Sequence, residues 1–145
     1  MRRLSAMCGA LLLGALIAPA EKDLTLQVEI HYTGSRTVDK THKIFVLLWD
    51  SPGFLDNSVG PVDVRAATSK NGTVTFYVQN VPAYVSTAFD PTGVWDAQNI
   101  DAGTPPSGSS LGMYTKAPPK PEPINSAPGK VAKVTINFDD SKKVK

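Results

Sequence analysis

The sequence contains very little cysteine and histidine, and these two shortages exclude several classes of small exported and metal-binding protein. Cys8 is the only cysteine among the 145 residues, so an internal disulfide framework is excluded. His31 and His42 are the only histidines, and two imidazole nitrogens alone make an incomplete zinc or copper site. We therefore interpret both histidines as polar surface residues and expect the hydrophobic core to stabilise the fold by itself.

The motifs of common catalytic sites are also missing from the sequence. Neither a Gly-x-Ser-x-Gly nucleophile elbow nor a phosphate-binding loop is present. The segment GSSLG at 108–112 comes close to the elbow, but it lacks the strand–turn–helix setting that exposes a catalytic serine. These absences predict that the protein is not an enzyme.

The chain has no strong excess of charge of either sign. Of its 15 lysines and arginines, Arg2 and Arg3 lie in the N-terminal apolar segment, which leaves 13 against 13 acidic residues. Nucleic-acid binding requires Lys and Arg clustered on one face, whereas Lys142, Lys143 and Lys145 are typical of a solvated chain end. We therefore predict no nucleic-acid partner.

The N-terminal segment has the pattern of a secretory signal peptide. Two arginines precede an apolar run at 10–17, and Ala-Pro-Ala at 18–20 supplies the small residues that a signal peptidase recognises. We predict a signal peptide at 1–20, export to the periplasm or the extracellular space, and a single processed domain at 21–145. The apolar run is too short to span a membrane, although an N-terminal anchor that stays in place is the alternative.

Helical spacing of apolar residues is absent after this segment, whereas alternation of apolar and polar residues recurs. The clearest case is 24–33, where every second residue is apolar. The same alternation predicts strands at 62–67, 73–79, 84–89, 111–115 and 132–138. Six or seven short strands with turn residues between them predict an all-β, antiparallel sandwich.

One strand is expected to be buried on both faces. The six consecutive apolar residues at 44–49 are followed at once by Asp-Ser-Pro-Gly, which is typical of a central strand rather than a helix. The segment 117–129 contains five prolines, so it predicts an extended crossing segment and excludes a helix there. We expect this proline-rich segment to cover the outer face of the strand at 44–49.

The strongest hairpin signal in the chain is Asn71-Gly72. Asn71-Gly72-Thr73 also fits a glycosylation acceptor, but a tight turn explains the Asn and the Gly together. We therefore predict a tight turn at 69–72 between the strands at 62–67 and 73–79.

Four segments together resemble a known group of proteins. They are IFVLLWDSPGF at 44–54, GTVTFYVQNVPAYVSTAFD at 72–90, DPTGVWD at 90–96 and PPSGSSLGMY at 105–114. These motifs resemble bacterial secreted proteins with a transthyretin-like (prealbumin-like), carboxypeptidase-regulatory-like domain, which is also carbohydrate-binding-like. The resemblance implies an antiparallel seven-stranded Greek-key β-sandwich that serves as a binding, adhesion or stabilising module.

The enzymatic branches of similar sandwiches are not matched. The hydrolase branch of transthyretin-like proteins has a C-terminal Tyr-Arg-Gly-Ser and catalytic histidines, whereas this chain has Asp-Ser-Lys-Lys-Val-Lys at 140–145. Intradiol dioxygenases hold iron with two tyrosines and two histidines, and this sequence has no His-x-His. The resemblance therefore also predicts a module without catalytic activity.

Trp95 is the candidate ligand-binding residue, because a large aromatic ring is unexpected in a long polar loop. It either packs back onto the core or presents its ring to a sugar or a partner protein. Tyr114 and Tyr84 are expected to extend such a surface. Trp49, at the end of a strand, is expected to belong to the core.

The loop that begins at Asp90 offers oxygen atoms around a glycine bend, which is the ligand type that calcium prefers. Asp90, Thr92 and Asp96 lie in the bend, and Asp101 follows it. We prefer ordinary turn chemistry, in which these side chains bond to nearby backbone amides, so we predict no cofactor and keep a calcium site as the alternative. Calcium is the one cofactor that the sequence suggests.

These observations predict an exported, non-enzymatic module that binds a polysaccharide or an envelope protein. The loops at 51–61 and 90–110 would form the binding end if the fold brings them together. The alternatives are a purely structural domain held in a secreted complex through 117–129, and a calcium-dependent module.

Overall fold

The computed structural model describes residues 23–99 and 101–145, so the predicted signal peptide at 1–20 lies outside the described residues. The regular secondary structure of the described chain consists of β-strands and one 3-10 helix at Pro52–Asp56. Its strands are β1 (Leu24–Tyr32), β2 (Ile44–Trp49), β3 (Asp63–Ala67), β4 (Asn71–Val78), β5 (Tyr84–Phe89), β6 (Ser110–Met113) and β7 (Val131–Phe138). Within this part of the chain, none of the helical structure is long and apolar enough to cross a membrane.

The strands form two sheets, one ordered β4-β1-β7 and the other β3-β2-β5-β6. The pairings are antiparallel as predicted, except that β1 and β7 run parallel. The chain crosses from one sheet to the other after β6 and arrives where β1 begins, since the amide of Thr25 donates to the carbonyl of Lys130 (3.0 Å). The prediction of an entirely antiparallel sandwich is therefore wrong for this pair.

A hydrophobic core lies between the two sheets. The predicted alternation in β1 is confirmed, because Leu24, Leu26, Val28, Ile30 and Tyr32 are all buried. They share this core with inward side chains of the other sheet, such as Val46 and Phe89. Full burial of an aliphatic side chain of this size contributes about 1.5–3 kcal/mol, so the alternating pattern strongly favours two facing layers.

β2 is buried on both faces, as predicted, but the covering segment differs from the expected one. Phe45 and Leu47 point away from the inter-sheet core and pack in a second cluster with Ala97, while Trp95 packs against that cluster. The proline-rich segment instead inserts Ile124 into the inter-sheet core, where its backbone pairs with Ala83. The prediction that 117–129 covers the outer face of β2 is therefore wrong, because its large apolar side chain is held inside.

The predicted Asn71-Gly72 turn is also wrong. Both residues belong to β4, where Asn71 pairs with His31 and Gly72 pairs with Ile30. A type I′ turn needs positive φ at both central residues, and neither Asn71 nor Gly72 has one. The chain bends at 68–70 instead. The amide of Tyr32 in β1 donates to the carbonyl of Lys70 (2.9 Å) at the end of this bend.

Candidate functional site

The outer face of the four-stranded sheet carries a row of small side chains between larger ones. In β5, Ser86 and Ala88 point outward, because side chains alternate along a strand. Ser86 lies opposite Leu47 of β2 and Met113 of β6. Ala88 lies opposite Phe45 of β2 and Leu111 of β6. Short side chains on the central strand and longer ones on both neighbours make this face concave.

The segment after β2 forms one wall of the resulting groove. Phe54 stacks on Trp49 with ring centroids 4.9 Å apart and planes inclined by 22°. The indole Nε1 of Trp49 donates to Ser86 Oγ (2.9 Å), which fixes the indole across the floor. Ser51 caps the 3-10 helix through Oγ, which accepts from the amide of Gly53 (3.1 Å), so the helix holds Phe54 in place.

The loop after β5 forms the opposite wall, and the carboxylate of Asp90 organises it. Asp90 is 1% exposed. Its Oδ1 accepts from the amide (2.8 Å) and hydroxyl (2.6 Å) of Thr92, and its Oδ2 accepts from the amide of Trp95 (2.9 Å). The tight bend passes through Gly93, whose φ of 72° favours glycine. These bonds set the Trp95 ring edge-on against Phe45, with centroids 5.1 Å apart.

Trp95 packs against the outer cluster of β2 and also lines the groove. The residue is only half-buried. Its indole Nε1 is buried and has no hydrogen-bond partner. One side of Trp95 is therefore structural, and the other is part of the candidate site.

The groove has a volume of about 1300 Å³ and is lined by residues of both loops that the sequence singled out. The loops leave opposite ends of the β2–β5 pair, so the groove lies across the face of the sheet and not at one end as expected. The lining is largely apolar and aromatic, with uncharged polar side chains placed around it, namely Asn57, Gln98, Asn99, Thr104, Thr115 and Asn137. Of the charged lining residues, Asp63 and Arg65 form an ion pair with an N···O distance of 2.9 Å. The site therefore suits an uncharged ligand with apolar faces.

The two tyrosines that were predicted to accompany Trp95 are placed differently. Tyr84 lies opposite Trp49 in the strand register, so it shares the outer face of the sheet without lining the groove. Tyr114 packs against the inter-sheet core, and its amide donates to the carbonyl of Val85 (3.0 Å). The structure thus brings Trp95 together with Trp49 and Phe54 rather than with the two tyrosines.

The sequence analysis assigned Trp49 to the core and did not single out Phe54, so it missed both as groove residues. A signal for Trp49 was available, because the period of two along β2 puts it on the same face as Leu47. Phe54 gave no such signal, since its position depends on a short helix that the loop composition did not predict.

The predicted calcium ligands do not assemble into a cluster. Asp90 uses its carboxylate on the loop backbone and on Thr92, whereas Asp96 and Asp101 are exposed. Between residues 23–99 and 101–145, no three His, Cys, Asp or Glu side chains are grouped so that they could hold a metal ion. The hydrogen bonds of this loop are those of the turn chemistry that was preferred from the sequence.

The two histidines are separated in the fold. His31 lies on the outer face of the three-stranded sheet, where Nδ1 is 2.9 Å from Asn71 Oδ1 and Nε2 is 3.1 Å from Glu29 Oε1. His42 lies in the loop before β2, where Nδ1 is 3.2 Å from Asp39 Oδ1. Each ring is thus satisfied locally by oxygen atoms.

Comparison with known proteins adds no relative to this description. No protein-family model matches the chain, and no curated protein and no solved structure is similar to it. The resemblance to transthyretin-like domains therefore stays a prediction from the motifs, and the groove itself is the main indication of function.

Proposed function

We propose that this protein is an exported, non-enzymatic module of the Greek-key, transthyretin-like type that binds an uncharged polysaccharide. Its groove on the four-stranded sheet is the proposed site. The observation that carries this proposal is the meeting of Trp49, Phe54 and Trp95 in one groove with amide and hydroxyl side chains around them.

A sugar ring matches this combination chemically. Its C–H face stacks on an aromatic ring, and its hydroxyl groups exchange hydrogen bonds with amide and hydroxyl side chains. The charged side chains of the lining are balanced, with Asp63 and Asp139 against Arg65 and Lys142. An acidic polysaccharide would find no excess of positive charge here, so the proposed ligand is neutral.

The lining also favours binding over catalysis. Among the described residues that line the groove there is no histidine, cysteine or glutamate. The two carboxylates of the lining are engaged, because Asp63 pairs with Arg65 and Asp139 accepts from the amide of Ser141 (2.8 Å), whereas acid–base catalysis needs a group free to reach the substrate. The proposed role is therefore recognition of an extended sugar chain.

Substitution of Phe54 tests the proposal, because Phe54 is half-buried on a surface helix and its loss should spare the core. Binding is measured by affinity gel electrophoresis against xylan, hydroxyethyl cellulose and amylopectin, with alginate as the acidic polysaccharide. We expect at least one neutral polymer to retard the protein and Phe54→Ala to weaken that binding by about tenfold, since stacking aromatics dominate such sites.

Tyr77→Ala is the matched control, because Tyr77 is an aromatic residue with 64% exposure on the other sheet. It should leave retardation by the neutral polymer unchanged. Equal loss of binding in both variants would contradict the groove as the site. Retardation by alginate alone would contradict a neutral ligand.

A further inference from the structure

A second surface lies at the end of the molecule where β2 and β4 terminate. Large exposed apolar side chains gather there: Val62 (55% exposed) and Tyr77 (64%) line the same pocket. We call this the end pocket, and it is lined by Leu48, Trp49, Asp50, Val62, Asp63, Tyr77, Val78, Gln79, Asn80 and Ala83. It has a volume of about 290 Å³.

The apolar surface continues beyond the end pocket on two sides. Val81, which is 46% exposed, directly follows the lining residue Asn80. Leu55, which is 55% exposed, lines the adjoining groove together with Val62. Isolated exposed apolar residues are ordinary on a protein surface, so the pocket that Val62 and Tyr77 line together is the feature that points to an interaction site.

The lining of the end pocket carries negative charge. Among the described lining residues there are two aspartates and no Lys, Arg or His. Asp63 is neutralised, because its Oδ2 accepts from Arg65 and its Oδ1 accepts from the amide of Val64 (2.8 Å). Asp50 is exposed, and none of the ion pairs found in the described chain includes it.

We propose that the end pocket docks a segment of a partner protein that alternates apolar residues with lysine or arginine. An apolar side chain of the partner would fill the pocket between Val62 and Tyr77. A neighbouring cation would reach the carboxylate of Asp50, with its aliphatic stem lying along Tyr77. Charge complementarity selects this occupant over an acidic segment, because a second carboxylate near Asp50 would be repelled.

Two fluorescent peptides of equal length test this proposal. Both alternate leucine with a charged residue, which is lysine in one and glutamate in the other. We expect the lysine peptide to bind, with weaker binding at high salt, and to shift the backbone amide NMR signals of Val62, Tyr77 and Asn80. Binding of the glutamate peptide with equal affinity, or amide shifts confined to other surfaces, would overturn the proposal.

Variants separate the end pocket from the groove. Asp50→Asn should weaken binding of the lysine peptide about two- to fivefold, as expected for one exposed charge pair. Tyr77→Ala should weaken it by about fivefold or more, because it removes the aromatic wall. Val94→Ala should leave it unchanged, because Val94 is 83% exposed in the loop after β5 and lines neither the end pocket nor the groove. Unchanged peptide affinity in both Asp50→Asn and Tyr77→Ala would also overturn the proposal, whatever the outcome with polysaccharides.

Discussion

Asp140 joins three segments that are far apart in the sequence. Its Oδ1 accepts hydrogen bonds from the hydroxyls of Tyr32 (2.5 Å) and Ser110 (2.6 Å), and its Oδ2 accepts from the amide (3.0 Å) and hydroxyl (3.2 Å) of Ser35. β1, β6 and the loop after β1 are thereby fastened to the chain just beyond β7. This single carboxylate therefore links the two sheets, because β1 belongs to one of them and β6 to the other.

We predict that Asp140→Asn destabilises the fold by about 1–3 kcal/mol at neutral pH, because the buried hydroxyls lose a charged acceptor. Chemical denaturation of the variant and the parent measures this change. Asp139→Asn is the matched control, since Asp139 is exposed and accepts only a local bond from the amide of Ser141. Equal stability of the parent and Asp140→Asn would show that the carboxylate does not fasten these segments.

The same carboxylate gives the fold a dependence on acid. The hydrogen bonds from Ser110 and Tyr32 hold the pKa of Asp140 well below its ordinary value. The stabilisation is therefore complete above the unfolded pKa of about 4 and is lost as the pH falls below it. Between about pH 5 and 2, the free energy of unfolding should fall less with decreasing pH for Asp140→Asn than for the parent, and chemical denaturation at each pH measures this.

Tyr32 gives the opposite dependence in base. Burial, followed by the hydrogen bond to Asp140, raises the pKa of Tyr32 to about 12. Since its folded pKa is raised, stabilisation is present below about pH 10 and declines as the pH rises towards 12. An unfolding free energy that stays constant from pH 9 to about pH 12 would contradict this account of Tyr32.

At the scale of elements, the approach of β6 to β7 depends on Gly112. A Cβ atom on Gly112 would lie 2.6 Å from Phe138 Cβ and 2.6 Å from Thr87 Oγ1. Both neighbours are buried, so neither can move aside freely. Gly112 therefore allows the four-stranded sheet to close on the edge of the three-stranded sheet.

We predict that Gly112→Ala lowers the free energy of unfolding by about 1–3 kcal/mol, the usual cost of overpacking a core. Gly60→Ala is the control, because a Cβ atom on Gly60 would meet nothing within 4 Å. Thermal melts of the two variants measure the difference. An unchanged melting temperature for Gly112→Ala would contradict the close packing of β6 against β7.

The success of sequence reasoning differed between elements for physical reasons. The period of two identified β1, because its side chains alternate strictly between core and solvent. Asn71-Gly72 misled, because the turn at 68–70 is set by pairing of β4 with β1 over a long sequence distance. The position of Ile124 could not be predicted either, because it depends on pairing with the distant Ala83. The proline content of 117–129 shows that the segment is extended, but not which side of a sheet it packs on.

At the scale of the whole molecule, two sheets share one core, and a second apolar cluster lies outside the four-stranded sheet. The two-layer arrangement followed from alternating strands and a doubly apolar β2. The groove did not follow, because it requires the register that puts Ser86 and Ala88 between longer neighbours. Trp95 was singled out from its loop, and the period of two along β2 gave a signal for Trp49, whereas the place of Phe54 in the groove depends on tertiary packing.

The chain contains two tryptophans, and both Trp49 and Trp95 line the groove. Fluorine NMR of protein labelled with fluorotryptophan therefore reports on the proposed site at both of its walls, and Trp49→Phe assigns the two resonances. During titration with the neutral polysaccharide that retards the protein, we predict that both resonances shift and saturate together. Saturable binding that leaves both resonances unmoved would contradict the groove as the binding site.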